Sequence, residues 1–393
     1  MMTLRTVLIL IVCWSAMPGS VHGQALDLRS LDLPEWQLEE DLRLGSLDGP
    51  YDAFVSPTSL QVGADGRIYV LDGGIPALRV FDADGRFLRQ MGSVGEGPGR
   101  YLRPVSFGIA GDTIWVGDMR TGRLTLYDVV GNVIESTRIS LAGSPAQSVV
   151  PVNLLPGGDV VVVSPSGPPP QTVREPGPIR FEQSVLRLGP GGQVRDTVVT
   201  NTAEFPGVSL RGGRQVAAIP LIRQAPMVSY DQERDVIREV HRPAPAPGEM
   251  AEFRILERER DGTSVRDRRF KDAALPLSPQ VRDSLVSHVR ERLDGAPGSA
   301  IEEVLAHLHL PAQQPPVTQV ARGADDTFWV QREPFPVSGV RVLVLDGDLE
   351  PMATLTLPPG VERWVGPITS THVWMLVRGE FDVPMLVRYR IRR

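Results

Sequence analysis

Cysteine is almost absent from this chain. The single cysteine, Cys13, lies inside an apolar run at residues 7–14. If that segment is removed on export, no thiol remains, which excludes disulfide bonds, thiolate nucleophiles and cysteine-ligated zinc. A chain of this length can bury a large core without covalent links.

Lysine is equally scarce, because Lys271 is the only one and arginine carries nearly all positive charge. The formal net charge is −6 at pH 7. This negative balance argues against nucleic-acid binding and against a polybasic membrane patch. We interpret the arginine bias as codon usage in a GC-rich bacterial genome, although arginine-rich surfaces also bind carboxylates and phosphates well.

Long hydrophobic runs are missing, since no stretch approaches the roughly 20 apolar residues of a transmembrane helix. The N-terminal run is shorter, follows Arg5 and precedes small residues up to Gly23. This layout predicts a secretory signal peptide over residues 1–23, with an N-terminal core helix as the alternative. We expect a periplasmic or secreted protein with no membrane insertion after cleavage.

The chain repeats itself with a spacing of 46 residues. Residues 68–72 (IYVLD) align with residues 114–118 (IWVGD), and the same spacing carries Phe81 onto Tyr127 and Gly85 onto Gly131. The unit returns at residues 158–162, 326–330 and 373–389. Short alternating strands with glycine turns, repeated about every 45 residues, are typical of β-propeller blades.

The pattern predicts an all-β, six-bladed propeller over residues 24–393 as a single domain. The blades are expected at residues 52–92, 104–141, 150–200, 207–270, 316–357 and 362–392. One sheet alone exposes both faces, so the aromatics Tyr69, Trp115, Trp329 and Trp374 are interpreted as core between blades rather than as a ligand platform.

The last repeat lacks an outer strand. The strand-like segment 36–44 should supply it, so that residues near 40 contact residues near 388 and close the ring. Residues 164–183 are predicted to form an irregular loop in blade 3. Residues 278–310 are predicted to form a helical pair between blades 4 and 5, because Ser278-Pro279 and Ser299-Ala300 resemble helix starts.

The units at residues 60–85 and 108–131, with the glycine-rich linker 92–104, resemble the NHL-type six-bladed β-propellers. They are similar in particular to exported, uncharacterised propeller proteins of environmental and gut bacteria. The resemblance covers essentially the whole chain after the leader and is weak over residues 200–310. It implies a fold rather than an activity, because propellers carry many functions.

Ligand contacts are expected on one face of the disc, where the longer loops emerge. Loops that join second to third strands, or one blade to the next, share that face. The candidate ligand-face residues are Arg79, Arg100, Tyr101, Arg103, Arg120 and Arg123. An anionic ligand would suit the arginines, and the alternative is that they are solvated or paired.

Asp72 and Asp118 occupy the same position in successive repeats. They could act as acid, base or metal ligands. Alternatively, each could accept backbone N–H bonds in the turn that follows. Repetition favours the second interpretation, because an active site rarely needs one residue in each blade.

Catalytic signatures are absent from the sequence. It contains no Gly-x-Ser-x-Gly, no His-Glu-x-x-His and only three asparagines. Gly95, Gly97 and Gly99 lack the Lys-Ser/Thr of a phosphate loop and are expected to allow a tight crossover. We therefore predict no cofactor and no metal, and assign no catalytic residue.

Three functional hypotheses remain at this point. The first is a binding protein that recognises a protein, peptide or glycan on the loop-rich face. The alternative is a lyase or hydrolase acting over the central channel, which the related propeller enzymes suggest. The third is an assembly role for the helical pair.

Overall fold

The repeats fold into six antiparallel sheets, each built from strands that are adjacent in sequence. The strands are Pro57–Val62, Ile68–Asp72, Ala77–Phe81 and Phe87–Met91 in blade 1; Pro104–Ala110, Thr113–Asp118, Arg123–Tyr127 and Val133–Arg138 in blade 2; Val150–Leu154, Val160–Ser166, Ile179–Leu188 and Val194–Phe205 in blade 3; Met227–Asp231, Val236–His241, Ala251–Glu259 and Ser264–Asp272 in blade 4; Gln319–Arg322, Phe328–Gln331, Arg341–Leu345 and Pro351–Thr356 in blade 5; and Val361–Ile368, His372–Arg378 and Pro384–Arg392 in blade 6.

The computed structural model describes residues 24–142, 149–155, 157–166, 179–205, 207–210, 214–217, 227–231, 234–292, 298–307, 310–332 and 339–393. The predicted signal peptide therefore lies outside the described residues. So does most of the irregular loop predicted in blade 3, at residues 167–178.

The N-terminal segment closes the ring, as predicted. The strand Glu35–Leu44 pairs antiparallel with the last strand of blade 6, with Leu42 opposite Arg388. Its first residues pair parallel with the outermost strand of blade 5, Trp36 opposite Leu355. A shorter strand, Leu26–Asp27, runs parallel to the outermost strand of blade 4. The segment thus covers the outer edges of three blades, which removes exposed edge strands.

The core lies between the blades. Tyr69, Trp115, Trp329 and Trp374 are all buried, and each belongs to a different apolar cluster between neighbouring sheets. This confirms their interpretation as core. Burying side chains of this size contributes about 1.5–3 kcal/mol each, so stacking the blades stabilises sheets that would be marginal alone.

The remaining elements decorate the connections. They are the strand pair Ser93–Val94 and Arg100–Tyr101, the hairpin Gly207–Leu210 and Arg214–Ala217, the 3-10 turns Leu28–Ser30, Pro190–Gly192 and Glu380–Asp382, and the helices Pro279–Arg292 and Gly298–His307. The helices lie between blades 4 and 5, as predicted. Ser278 caps the first helix by accepting a hydrogen bond from the Val281 amide at 3.3 Å.

Blade 4 starts later than the repeat suggested. It was expected from residue 207, but Gly207–Leu210 pairs with Arg214–Ala217 in a separate hairpin. The first strand of blade 4 is instead Met227–Asp231, which pairs with Val236–His241.

Candidate functional site

The loop-rich face is defined by the alternation of strand direction. Connections from second to third strands and from one blade to the next all emerge on this face, which we call the loop-rich face. They include residues 45–56, 73–76, 92–103, 119–122, 242–250 and 379–383, together with the helical pair. The opposite face carries the short turns. The placement of a ligand surface on the loop-rich face stays a prediction.

Asp72 anchors the loop that enters blade 1. Its carboxylate is 0% exposed and accepts hydrogen bonds from the backbone amides of Val55, Ser56 and Gly74 at 2.9–3.0 Å. These bonds satisfy amides in both the entering loop and the following turn. The carboxylate oxygens are therefore engaged by the backbone.

Asp118 repeats this arrangement in blade 2. It is also 0% exposed, and it accepts hydrogen bonds from the amides of Leu102, Arg103 and Thr121, each at 2.8 Å. The geometry supports the structural interpretation of both aspartates. Neither is placed as a free acid, base or metal ligand.

Two of the predicted ligand-face residues lie in the interior, which corrects that part of the prediction. Arg79 is 4% exposed, donates to the Ala53 carbonyl at 2.8 Å and lies 5.3 Å from the centre of the Phe54 ring. Burial lowers the pKa of Arg79, although Asp72 nearby opposes that shift. The loop 45–56 folds over this side chain and removes it from solvent.

Tyr101 is the second corrected residue, with 1% of its surface exposed. Its hydroxyl is hydrogen-bonded to the hydroxyl of Tyr127, and burial raises the pKa of Tyr101 well above its usual range. Tyr101 is a core residue that fixes the linker against blade 2. Phe54 occupies the corresponding place on blade 1, packed against Phe81.

The other predicted arginines remain at the surface. Arg100, Arg103 and Arg120 are exposed, and Arg123 is half-buried and donates to the Ser136 carbonyl at 3.1 Å. Arg123 also lies directly across the strand pair from Arg138, which is exposed. We call these five side chains the arginine group.

The arginine group has an unusual charge environment. Within the described part of the chain, none of the five has a carboxylate within 4 Å, whereas most other arginines do. The backbone holds two of them together, because the Met119 amide donates to the Arg103 carbonyl at 3.0 Å. Like charges placed directly opposite, as at Arg123 and Arg138, are unfavourable unless an anion neutralises them.

The central channel is lined by the first strands of the blades. Side chains there donate to the carbonyls of the next blade: Arg363 to Pro57 at 2.7 Å, Gln61 to Phe107 at 3.0 Å, and Ser106 to Pro151. Among the residues that the structure describes, no group of three or more His, Cys, Asp or Glu side chains could hold a metal ion.

Blades 4 and 5 share a buried ionic network that the sequence analysis missed. Glu257 is 0% exposed and accepts hydrogen bonds from Arg238 at 2.6 and 2.9 Å, from Arg266 at 2.9 Å and from Arg322 at 3.3 Å. The guanidiniums of Arg238 and Arg322 each lie 4.8 Å from the centre of the Phe328 ring.

A signal for this network is present in the sequence. Glu257 follows Phe253 and Ile255 at the spacing of two that keeps side chains on one face of a strand, and both of those residues are buried. The same spacing places Arg238 between Val236 and Val240. The alternation of inward and outward side chains along these strands would have predicted that both Glu257 and Arg238 are buried.

A cavity of about 470 Å³ lies between blades 2 and 3. Its wall is largely aliphatic, and Glu135, Thr137, Arg138 and Ser140 are its polar lining residues. Arg138 thus connects the cavity with the arginine group. A volume of this size is within the range of small-molecule sites.

The fold defines this chain as a six-bladed β-propeller. Residues 55–152 match a family model described as a 6-bladed beta-propeller. No curated protein matches the sequence. Among the described residues, no helix has the length and apolar character needed to cross a membrane.

Two solved propellers of similar architecture come from Bacteroides. A putative exported protein of Bacteroides fragilis NCTC 9343 is 12% identical with a TM-score of 0.51, over 94% of this chain and 99% of that one. A DUF4221 family member from Bacteroides vulgatus ATCC 8482 is 10% identical with a TM-score of 0.51, over 92% and 99%. At such identities the likeness concerns the fold alone.

A propeller enzyme is also among the similar structures. Virginiamycin B lyase from Staphylococcus aureus is 11% identical over 91% of this chain and 100% of that one. Its TM-score of 0.44 is too low to support an inference about activity. The alternative of a lyase or hydrolase therefore stays a prediction.

Proposed function

We propose that this chain is an exported binding protein that recognises clustered carboxylates of a partner on its loop-rich face. The single observation that carries the proposal is the arginine group, whose five positive charges have no carboxylate within 4 Å in the described part of the chain. The chain as a whole has a net charge of −6, yet this surface carries five arginines without a neighbouring carboxylate among the described residues. We interpret this local positive charge as a surface that binds an anionic partner.

Arginine chemistry supports carboxylate as the ligand group. The planar guanidinium presents paired donors that match a carboxylate, and these charge-assisted bonds are stronger than neutral ones. Asp118 fixes the backbone of Arg103 and of the turn that carries Arg120, so the donors are presented on an ordered surface. An ordered surface lowers the entropic cost of binding.

The proposal includes export. Residues 1–23 have the layout of a signal peptide, and we infer that residues 24–393 form one propeller domain that functions in the periplasm or outside the cell. The similar protein of Bacteroides fragilis carries the description of a putative exported protein. N-terminal sequencing of the protein recovered from the cell envelope tests the cleavage.

Binding is tested with two labelled probes that share carboxylate chemistry, poly-L-glutamate and oligogalacturonate. Fluorescence anisotropy should detect binding that weakens with added salt, because the contacts are exposed charges. Replacing two exposed arginines in Arg103→Gln/Arg120→Gln should weaken binding about tenfold, which corresponds to about 1.4 kcal/mol. The preferred probe identifies a peptide-like or a glycan-like partner.

The matched control is Arg86→Gln, which removes an exposed arginine on the opposite face. Arg86 lies near Asp82 and Asp84, at 3.8–3.9 Å, and is 78% exposed. This variant should bind both probes as the unchanged chain does. Equal affinity of the double variant and the unchanged chain would overturn the proposal.

A further inference from the structure

Three neighbouring connections on the loop-rich face carry large exposed apolar side chains. In the described part of this face, the large exposed hydrophobics are Leu47, Tyr51, Val55, Val94, Leu102 and Phe381. All of them belong to three connections, at residues 45–56, 92–103 and 379–383, which serve blades 6, 1 and 2. Apolar residues gathered in this way mark an interaction surface.

Phe381 has a strained backbone conformation, and its exposed ring is not stabilised by burial in the core. Its side chain is 83% exposed, and its backbone φ of 57° is followed by 62° at Asp382. A turn of similar backbone geometry in blade 3 has Gly191 and Gly192 at the corresponding places, both with φ of 80°. Glycine adopts this region freely, whereas residues with a Cβ are disfavoured there. Strain of this kind at an exposed aromatic points to binding.

The charges beside Phe381 are the opposite of those on blade 2. Glu380 and Asp382 flank Phe381 in the sequence, and both are exposed; Arg378 lies 3.8 Å from the Asp382 carboxylate, whose side chain is still 85% exposed, so the turn keeps an excess of negative charge. The arginine group, in turn, has no carboxylate within 4 Å in the described residues. The two surfaces are therefore complementary in charge, and aromatic and arginine side chains are the residue types that dominate protein interfaces.

The order of the blades in the ring places the loop 379–383 and the arginine group on either side of blade 1. Blades 6 and 2 are the two neighbours of blade 1, so a two-fold axis lying along blade 1, in the plane of the loop-rich face, sets blade 6 of one copy opposite blade 2 of the other. The same operation makes the reciprocal contact. Loop 45–56, which carries Leu47, Tyr51 and Val55, leads into the first strand of blade 1, the blade along which this axis runs. Two-fold dimers with self-complementary interfaces are the commonest protein oligomers.

We propose that the partner is a second copy of this chain. The loop 379–383 of each copy docks on the arginine group of the other, with Phe381 as the anchor and Glu380 and Asp382 as the carboxylates. The inference rests on the proposed function, because it uses the same arginine surface and names its partner.

The proposal is tested in the full chain by reversing the charges of the arginine group and of the loop 379–383, first separately and then together. Sedimentation velocity over a concentration series should show a monomer–dimer equilibrium. Arg103→Glu/Arg120→Glu and Glu380→Arg/Asp382→Arg should each raise the dimer dissociation constant at least tenfold. The chain that carries all four substitutions should dimerise again, within a few-fold of the unchanged protein. Arg86→Glu, on the opposite face, is the control, and circular dichroism confirms that every variant folds.

The outcomes separate this inference from the proposed function. A monomer at all concentrations, or a fourfold variant that fails to dimerise again, overturns the dimer. If such a monomer still binds poly-L-glutamate through Arg103 and Arg120, carboxylate recognition stands without self-association. If the protein dimerises and the fourfold variant dimerises again, poly-L-glutamate should inhibit dimer formation, because the loop 379–383 of the second copy and the probe bind the same arginine group.

Discussion

Two blade interfaces in this molecule are built from different chemistry. Between blades 1 and 2 the contact is mainly apolar, with Leu71, Val80 and Phe107 among its buried members, and the buried hydroxyls of Tyr101 and Tyr127 pair with each other beside it. Between blades 4 and 5, apolar packing continues into the network around Glu257. The first interface follows the regular repeat, and the second occurs where the repeat is hardest to recognise.

The difference shows what each interface can tolerate. An apolar interface is stabilised by burial and loses a share of that stability with each methylene removed. A buried ionic network depends on complete pairing, since removing one partner leaves the others charged and without solvent. We therefore expect the interface between blades 4 and 5 to be the more sensitive to a single isosteric change.

The largest expected effect is that of Glu257→Gln. This change keeps the shape of the side chain but removes the buried carboxylate shared by Arg238, Arg266 and Arg322, and leaves, among the described residues, only Asp231, at 3.8 and 3.0 Å, as a carboxylate close to both Arg238 and Arg322. The free energy of unfolding should fall by about 3–5 kcal/mol, the usual cost of breaking a buried ion pair. Urea unfolding at pH 7 measures it.

Glu259→Gln is the matched control, because Glu259 is exposed on the same strand. It should change the free energy of unfolding by less than about 0.5 kcal/mol. If the two variants unfold alike, the network contributes no more than a surface charge, and the contrast between the two interfaces disappears.

A smaller effect is expected for Asp118→Asn, on the side of the regular repeat. An asparagine keeps only one acceptor oxygen and no charge, so whichever way its amide group turns, the hydrogen bonds from the Leu102 and Arg103 amides are weakened or lost. The expected cost is about 2 kcal/mol. Hydrogen exchange should show faster exchange at these two amides, and Asp112→Asn, an exposed change in the same blade, should leave both rates unchanged. Unaltered exchange in Asp118→Asn would contradict the anchoring role.

Much of the fold could be predicted from the sequence, because blades are local units. The spacing of 46 residues identified the strands, and the missing outer strand identified the closing segment, with Leu42 found opposite Arg388. The candidate site was less predictable. Arg79 occupies the same repeat position as Thr125, which is also buried, and loop 45–56 covers the longer arginine side chain. Such covering depends on a distant segment and leaves no mark in local periodicity.

The closing seam offers an intermediate case between the two interfaces. Asp41, on the N-terminal strand, accepts hydrogen bonds from Arg388 at 2.8 Å and from His372 at 2.9 Å, and Arg390 lies 3.7 Å away. Burial alone would raise the pKa of Asp41, but the hydrogen bond and charge of Arg388, with His372, lower it overall. The chemistry resembles that of Glu257, with more solvent around it.

The smallest effect should therefore come from Asp41→Asn, and it should depend on pH. Because the pKa of Asp41 is lower in the folded state, its stabilisation is present above the unfolded value of about 3.9 and disappears as pH falls through the folded value. We expect the variant to be less stable by about 1 kcal/mol at pH 7, with the difference shrinking towards zero in acid. Urea unfolding of both proteins at about pH 7 and pH 3 measures it. A difference that stays constant with pH, or that exceeds the effect of Glu257→Gln, would show that burial does not set the strength of these ionic contacts.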